Sequence, residues 1–294
     1  MKLNSSISGG ALLALLGVLA LPGAAMAQAS FATPELAADA FIEAVAADSN
    51  AGRERVLGKE WRKLLPPKEI DPADRLAFLA KAKEVRAVVV KDGRGELVVG
   101  ADKWPFPVPL MQTPDSQWRF DPRGGHEAIR ERVIGANERS AMQSALAYID
   151  AQRDYAAADR NGDGVREYAR RLISQAGKRD GLIWSPKLGD DSPLGEAYLP
   201  NKPGAGYHGY RFKILEAQGS GGPGGARSYL IGNRLLSGFA LIAWPVTYGQ
   251  SGVMSFIVNH DGKLYERDLG PNTPTVASGI KVYDPDAQWK PTKP

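Results

Sequence analysis

Residues Asn137–Tyr168 read NERSAMQSALAYIDAQRDYAAADRNGDGVREY, a helix pattern that runs directly into an acidic loop. Met142, Ala145 and Ile149 follow one another at intervals of three and four, which places them on one face of a helix. Asn137 is a good N-cap, because its side chain can accept a hydrogen bond from a backbone N–H of the first turn. The stretch therefore predicts a core-facing helix from Asn137 that packs on a sheet.

The loop after this helix has the spacing of a calcium-binding loop. Calcium takes six to eight oxygen ligands, and alternate side chains of a tight loop can point at one centre. Gly164 stands at position six of the spacing, where the chain must turn sharply. The candidate metal ligands are the side chains of Asp159, Asn161, Asp163 and Glu167 and the backbone carbonyl of Val165. The sequence therefore predicts a calcium ion (Ca2+) with a structural role.

The same loop departs from an EF-hand. Position twelve is Arg170, where an EF-hand has a bidentate glutamate, and no second EF-hand helix pattern follows. The alternative interpretation is a turn rich in Asp and Asn, whose side chains bond their own backbone. The sequence leaves both interpretations open.

Residues 1–27 have the features of a signal peptide. Ala11–Leu21 is apolar but shorter than the roughly 20 residues that cross a bilayer as a helix. Ala25-Met26-Ala27 supplies small residues where a signal peptidase cleaves, which predicts Gln28 as the first mature residue. No later stretch is long and apolar enough to span a membrane. The expected location is periplasmic, or secreted.

The composition fits an exported protein with two domains. The chain has 294 residues and no cysteine, so its core must hold together without disulfides. Domains usually have about 100–200 residues, which makes two the expected number. The formal net charge is +4, and basic residues are interleaved with acidic ones. A nucleic-acid-binding face needs clustered basic residues, so nucleic acid is not an expected partner.

Residues 31–125 are predicted to form an α+β domain. Thr33 is a good N-cap for a helix that begins at Pro34, and further helical patterns follow. The β-branched run Val85–Val90, the turn Asp92-Gly93 and later extended segments predict a curved antiparallel sheet. In order and spacing, these helices and this sheet resemble the cone-shaped folds related to nuclear transport factor 2 (NTF2-like).

Residues 126–136 are predicted to connect this domain to a second one at 137–290. Gly135-Ala136 is expected to interrupt a short connecting helix. After the acidic loop, Glu167–Ile173 is predicted as a short helix and Tyr207–Leu215 as the first strand of an antiparallel meander. The second domain is thus a long helix packed on a meander, and the whole chain belongs to the α+β class.

Several stretches along the chain carry a family pattern. They are Gly135–Glu138, Ala151–Tyr155, Asp159–Tyr168, Gly177–Leu182, Tyr207–Tyr210, Phe239–Pro245 and Phe256–Gly262. These stretches resemble domain-of-unknown-function family 2950, a group of exported bacterial proteins, over nearly the whole mature chain. The resemblance implies a compartment and an architecture. It implies no chemistry, since the family carries no established activity.

The second domain also resembles the globular part of type IV pilins and pseudopilins. The resemblance rests on the helix from Asn137 through Tyr155, followed by a sheet that ends in a turn with Asp261-Gly262. The N-terminal membrane helix of pilins is missing here, which puts polymerisation through such a helix in doubt. The pilin-like resemblance also implies that a calcium-binding loop would be a familiar feature.

A catalytic set is not evident from the sequence. His126, His208 and His260 lie far apart and lack metal-ligand spacing. Ser251 lies in Gly249–Gly252, which lacks the Gly-x-Ser-x-Gly spacing of a nucleophile turn. A cell-envelope hydrolase that uses Ser251 with His208 or His260 is the alternative function.

Four aromatic residues are candidates for a carbohydrate- or peptide-binding surface: Trp184, Tyr207, Tyr210 and Trp244. Aromatic strand residues are more often part of a core, which is the competing interpretation. With no catalytic set, the first function hypothesis is a non-catalytic binding or assembly module of the cell envelope. Its expected partner is another cell-envelope protein.

Overall fold

A computed structural model describes residues 27–66, 70–195, 198, 204 and 206–294. Apart from Ala27, the predicted signal peptide lies outside the described residues. The chain divides into two compact units, Met1–Pro122 and Arg123–Pro294. Among the described helices, none is long and apolar enough to cross a membrane.

The described part of the first unit begins with helices, of which the first is capped by Thr33 as predicted and the fourth by Asp71. The side chain of Thr33 accepts a hydrogen bond from the N–H of Leu36 at 3.2 Å, and that of Asp71 accepts one from Ala73 at 2.8 Å. Proline follows both caps, where its missing N–H leaves no helix bond unmade. The helices are α1 (Pro34–Ala46), α2 (Asn50–Leu57), α3 (Trp61–Leu64) and α4 (Pro72–Glu84).

An antiparallel sheet follows these helices. Its strands are β1 (Arg86–Lys91), β2 (Arg94–Val99), β3 (Trp104–Pro105), β4 (Leu110–Gln112) and β5 (Trp118–Phe120). The strand order is β1-β2-β4-β5, and β3 also pairs with β2. Asp92 and Gly93 join β1 to β2 with φ values of 50° and 72°, the conformation of a two-residue hairpin turn.

Aromatic rings fill the space between the helices and the sheet of this unit. The ring of Phe41 on α1 lies 4.5 Å from that of Phe106 and 5.5 Å from that of Phe120, centroid to centroid. All three rings are buried. Rings of this size remove a large apolar area from water, so they dominate the stability of such a core.

The second unit is built on one continuous helix, α5 (Pro122–Ala156). The prediction that Gly135-Ala136 interrupts it is therefore wrong, and the residues predicted as a connector, 126–136, lie inside α5. A glycine costs a helix only about 1 kcal/mol relative to alanine, which packing offsets. Asn137 is not an N-cap, and its side-chain N–H instead donates to the carbonyl of Ser251 at 2.9 Å.

An antiparallel sheet packs against α5. The strands of this unit are β6 (Tyr210–Leu215), β7 (Ala217–Gln218), β8 (Arg227–Ser228), β9 (Leu230–Ile231), β10 (Arg234–Leu235), β11 (Ala240–Pro245), β12 (Met254–Asn259), β13 (Tyr265–Asp268) and β14 (Lys290–Pro291). The sheet order is β14-β13-β12-β11-β6, so β6 is an edge strand, while β7–β8 and β9–β10 form small hairpins. A short helix that the sequence did not predict, α6 (Thr273–Gly279), precedes β14. The predicted α+β class is confirmed.

Two predicted elements of this unit are wrong. Glu167–Ile173 is irregular instead of helical, because the N–H of Tyr168 bonds to the carbonyl of Leu235 at 2.9 Å and draws the chain toward β10. His208 and Gly209 form a turn with φ values of 46° and 70°, so the predicted strand begins only at Tyr210.

Candidate functional site

The acidic loop after α5 folds around the carboxylate of Asp159. Its Oδ1 accepts hydrogen bonds from the N–H groups of Gly162 at 2.8 Å and Asp163 at 3.2 Å, and its Oδ2 accepts one from Gly164 at 2.7 Å. Gly162 and Gly164 have φ values of 74° and 86°, which glycine adopts without strain. Positions one to six of the calcium spacing therefore form a tight, self-bonded turn.

The remaining predicted ligands meet at the side chain of Asn161. Its Nδ2 donates to Oδ2 of Asp163 at 3.0 Å and to Oε1 of Glu167 at 2.8 Å. Val165, predicted to lend its carbonyl, donates its backbone N–H to Asp163 at 3.0 Å. A cation would need the oxygen of this amide where the nitrogen now lies, so calcium binding requires the amide of Asn161 to turn over.

Two arginines tie this loop to the hairpin and strand that follow it in the chain. Nη1 of Arg234 lies 2.8 Å from Oδ1 of Asp163, and Nε of Arg170 donates to Glu216 at 2.7 Å. Arg170 also donates to the carbonyl of Asn233 at 3.0 Å. Arg170, at position twelve of the calcium spacing, thus binds Glu216 and Asn233 and is not a metal ligand. Sequence reasoning missed Arg234 because it stands 71 residues from Asp163.

These contacts lie in a polar cleft of about 670 Å³. Its lining residues are Tyr155, Asn161, Asp163, Glu167, Tyr168, Arg170, Arg171, Asp180, Glu216, Asn233 and Arg234. The three arginines each pair with a carboxylate, since Arg171 lies 3.6 Å from Asp180. The cleft is therefore lined by neutralised ion pairs, with Glu167 bound to an amide.

The surroundings move the pKa values of two cleft carboxylates in opposite directions. The hydrogen bond from Arg234 lowers the pKa of Asp163 below its usual 3.8. Partial burial raises the pKa of Glu167 above its usual 4.5. Asp163 is thus held ionised, while Glu167 takes up a proton more readily than an exposed glutamate does.

The five predicted metal ligands share one loop, and protein groups already occupy many of their oxygens. Within the described ranges, no group of three or more His, Cys, Asp and Glu side chains is arranged to hold a metal ion. The contacts agree with the alternative of a self-bonded Asp and Asn turn. The calcium spacing also counts an amide and a carbonyl oxygen, so calcium at this loop stays a prediction.

Ser251, the alternative nucleophile, is held by backbone groups. Its Oγ accepts from the N–H of Thr247 at 3.0 Å and donates to the carbonyl of Thr247 at 3.1 Å. Ser251 precedes β12 and His260 follows it, and a six-residue strand is about 20 Å long. Ser251 and His260 therefore lie at opposite ends of one strand. His260 instead lies 3.3 Å from a guanidinium nitrogen of Arg227.

His208, the other alternative partner, lies closer to Ser251 but makes different contacts. A Cβ added to Gly209 would come within 2.8 Å of the Cβ of Ser251, so the turn after His208 packs against the serine. The imidazole of His208 itself contacts the ring of Tyr207, with the centroids 4.3 Å apart. The described contacts include no hydrogen bond between Ser251 and either histidine.

A second cavity, of about 350 Å³, lies beside β6 and has a mostly apolar wall. Its lining residues are Ser144, Tyr148, Leu172, Ile173, Ile183, Leu194, Tyr198, Gly204, Gly206, Tyr207, Tyr210, Arg211, Phe212, Leu241 and Trp244. Three of the four predicted aromatic residues, Tyr207, Tyr210 and Trp244, are among them. Trp184 does not line this cavity and packs in the core against Tyr155.

Three hydroxyl groups of the cavity wall have hydrogen-bond partners among the described residues. Tyr148 donates to the carbonyl of Ala240 at 3.2 Å, Tyr210 donates to that of Met254 at 2.8 Å, and Ser144 donates within its own helix. Burial raises the pKa of both tyrosines well above the usual 10.0, which keeps their hydroxyls neutral. These three hydroxyls are therefore not poised for proton transfer, and the cavity wall offers mostly apolar surface.

A protein-family model described as "Protein of unknown function (DUF2950)" matches residues 28–292. No curated protein matches the chain, and no solved structure does. The likeness of the two units to nuclear transport factor 2 and to pilins therefore stays a prediction.

Proposed function

The chain belongs to family DUF2950, and we propose that it is an exported, non-catalytic binding protein of the periplasm. Its ligand site is the aromatic cavity beside β6. The observation that carries the proposal is a cavity of about 350 Å³ with a mostly apolar wall. Small-ligand sites are concave, mostly apolar and about 300–1,000 Å³ in volume.

A non-catalytic role is inferred from how the candidate nucleophile Ser251 is held. The Oγ of Ser251 hydrogen-bonds to the backbone N–H and carbonyl of Thr247, and no hydrogen bond between it and a basic side chain is found among the described residues. A nucleophilic serine needs a general base within hydrogen-bonding reach. The hydrolase alternative therefore has less support than binding.

Export is supported by the agreement of two boundaries at Gln28. The predicted mature chain and the family match both begin there. The side chain of Gln28 also donates to the carbonyls of Val56 at 3.0 Å and Phe120 at 2.7 Å, so the folded unit uses this residue.

Export is tested by expressing the full chain in a Gram-negative host and releasing the periplasm by osmotic shock. We expect the protein in the released fraction, with Gln28 as its N-terminal residue. A chain that stays in the cytosol with residues 1–27 attached contradicts the proposal.

Binding is tested with N-phenyl-1-naphthylamine, a neutral apolar dye whose fluorescence increases in an apolar environment. We expect saturable fluorescence with the mature protein. Ser144→Phe should abolish it by filling the cavity from α5. Ser144→Ala is the matched control and should leave it unchanged, since it removes only a bond within the helix.

Circular dichroism should find both Ser144 variants folded. Dye binding that is unchanged in Ser144→Phe would place the dye elsewhere and contradict the cavity as the ligand site. An absence of dye binding to the unmodified protein would contradict the binding function.

A further inference from the structure

The edge strand β6 has one side that no described strand covers, and the pairing identifies the backbone groups on it. The N–H of Val246 donates to the carbonyl of Gly209 at 2.8 Å, so Gly209 faces β11. Tyr210 exchanges hydrogen bonds with Tyr207, at 2.8 and 2.9 Å, on the opposite side. Tyr210 therefore points its N–H and C=O away from β11.

Successive residues of a strand point these groups in alternate directions. Phe212 and Ile214 consequently also direct their N–H and C=O groups away from β11. No described residue supplies these four groups with a hydrogen-bond partner. The edge closes again at Glu216, whose carbonyl accepts from the N–H of Tyr229 at 2.8 Å. The open part of the edge thus lies between Tyr210 and Glu216.

The apolar cavity follows this open edge. Phe212 and Leu241 lie on one face of the sheet, whereas Arg211 and its cross-strand partner Trp244 lie on the other. All four line the cavity. A cavity lined by residues of both faces fits a space that follows the outer edge of β6, where the outward N–H and C=O groups of Phe212 and Ile214 have no partner among the described residues.

We propose that β6 binds an extended peptide segment of another cell-envelope protein by antiparallel strand addition. The proposal rests on the proposed binding function of the cavity and names the ligand class. Unpaired N–H and C=O groups at the spacing of a strand match an extended peptide backbone, whereas a purely apolar ligand leaves them unmet. Antiparallel addition would continue the pairing of this sheet, whose described strands pair antiparallel.

The side chains around the edge specify the peptide pattern. Residues directly opposite in an antiparallel pair share a face, so apolar side chains opposite Phe212 and Ile214 lie on the face that carries Leu241. The residue opposite Arg211 lies on the other face. Arg211 is exposed and makes no ion pair with a described residue, whereas Lys213 is engaged with carbonyls at the end of α6, including that of Ser278 at 2.6 Å. An acidic residue opposite Arg211 completes the pattern.

The test uses the mature protein and a fluorescein-labelled seven-residue peptide in which phenylalanine and aspartate alternate. Fluorescence anisotropy should detect saturable binding. In the antiparallel register, the phenylalanine N–H groups face β6 and the aspartate N–H groups face solvent. N-methylation of two phenylalanines should therefore raise the Kd about 30-fold, the effect of two hydrogen bonds of ordinary net strength. N-methylation of two aspartates is the matched control and should change it little.

Substitutions at Ile214 and Arg211 of the protein test the same contacts. Ile214→Pro removes one outward N–H that the sheet does not use, and proline is tolerated on an edge strand. It should raise the Kd about fivefold, while Ile214→Val should not. Arg211→Glu should weaken the aspartate peptide about threefold and favour a peptide with lysine in place of aspartate.

The outcomes separate this proposal from the binding function. Equal binding of both N-methylated peptides would overturn strand addition, because the contact would then be made by side chains alone. Dye binding without peptide binding would overturn the peptide proposal and leave the cavity function standing. Absence of both would overturn both.

Discussion

Gln152 and Ala169 are joined by two hydrogen bonds that pin the acidic loop to α5. The Nε2 of Gln152 donates to the carbonyl of Ala169, and the Oε1 accepts from the N–H of Ala169, both at 2.8 Å. Gln152 is fully buried, and its Nε2 also donates to the hydroxyl of Tyr148 at 2.9 Å. The two bonds hold Ala169, which directly follows the loop at 159–168, against α5.

Gln152→Ala should lower the free energy of unfolding by about 2–6 kcal/mol. It leaves the buried N–H and C=O of Ala169 unpaired, and each such group costs about 1–3 kcal/mol. Urea unfolding followed by circular dichroism measures the change. Gln143→Ala, at an exposed position of the same helix, should stay within about 0.5 kcal/mol. An equal loss of unfolding free energy in the two variants would show that the hydrogen bonds between Gln152 and Ala169 do not stabilise the fold.

Sequence reasoning found contacts whose partners stand close along the chain. Thr33 and Leu36 are three residues apart, and the cap between them follows from residue type alone. Arg234 stands 71 residues from Asp163, and no local pattern links the two. Trp244 could be named as a binding candidate because it is aromatic. That it lines a cavity could not be predicted, because the other walls come from distant parts of the chain.

Gly135→Ala should stabilise the protein by about 0.5–1 kcal/mol. Gly135 lies inside α5, where alanine is the better helix former, and an added Cβ would meet only a side-chain nitrogen of Arg139 at 3.7 Å. Chemical denaturation measures the gain. A loss of stability would mean that α5 is broken at Gly135, as the sequence pattern suggested.

Gly209→Ala should destabilise the protein, in contrast to Gly135→Ala. Gly209 has a φ of 70°, and an added Cβ would lie 2.8 Å from the Cβ of Ser251. A left-handed conformation costs an alanine about 1–2 kcal/mol, and the close contact adds to this cost. We expect a loss of more than about 1 kcal/mol in the same denaturation assay. A neutral result would contradict the turn at His208-Gly209.

The two cleft carboxylates should shift stability with pH in opposite ways. The raised pKa of Glu167 means that its ionised form costs stability, and this cost is relieved as pH falls through the raised pKa toward 4.5. Glu167→Gln should therefore raise the melting temperature at pH 7, and the difference should vanish below pH 4.5. Melting curves with a chelator present measure it. A difference that persists at low pH would have a cause other than ionisation.

Asp163 is the matched contrast for this experiment. Its lowered pKa means that the ionised form stabilises the fold above pH 3.8, and this contribution is lost as pH falls below 3.8 through the lowered pKa. Asp163→Asn should therefore melt at a lower temperature than the unmodified protein at pH 7. The two curves should converge in strong acid. A variant that melts higher at pH 7 would contradict the Arg234 pairing.

Calcium binding and the self-bonded turn make different predictions for Arg234. If calcium binds at the predicted ligands, it competes with the guanidinium 2.8 Å from Asp163. Calcium at 100 times its Kd should then raise the melting temperature by about 5–10 °C. Asp159→Ala combined with Asp163→Ala should abolish that rise. Arg234→Ala should melt lower without calcium but gain more from it, because Asp163 is then free to bind the cation.

Magnesium is the control for this measurement, since it demands octahedral geometry and gives up its waters reluctantly. It should raise the melting temperature less than calcium does. For each variant, the melting temperature with chelator is subtracted from the melting temperature with calcium. This subtraction removes the change in stability that the substitution itself causes. No calcium-dependent rise at millimolar calcium, in either the unmodified protein or Arg234→Ala, would leave the self-bonded turn as the role of Asp159, Asn161 and Asp163.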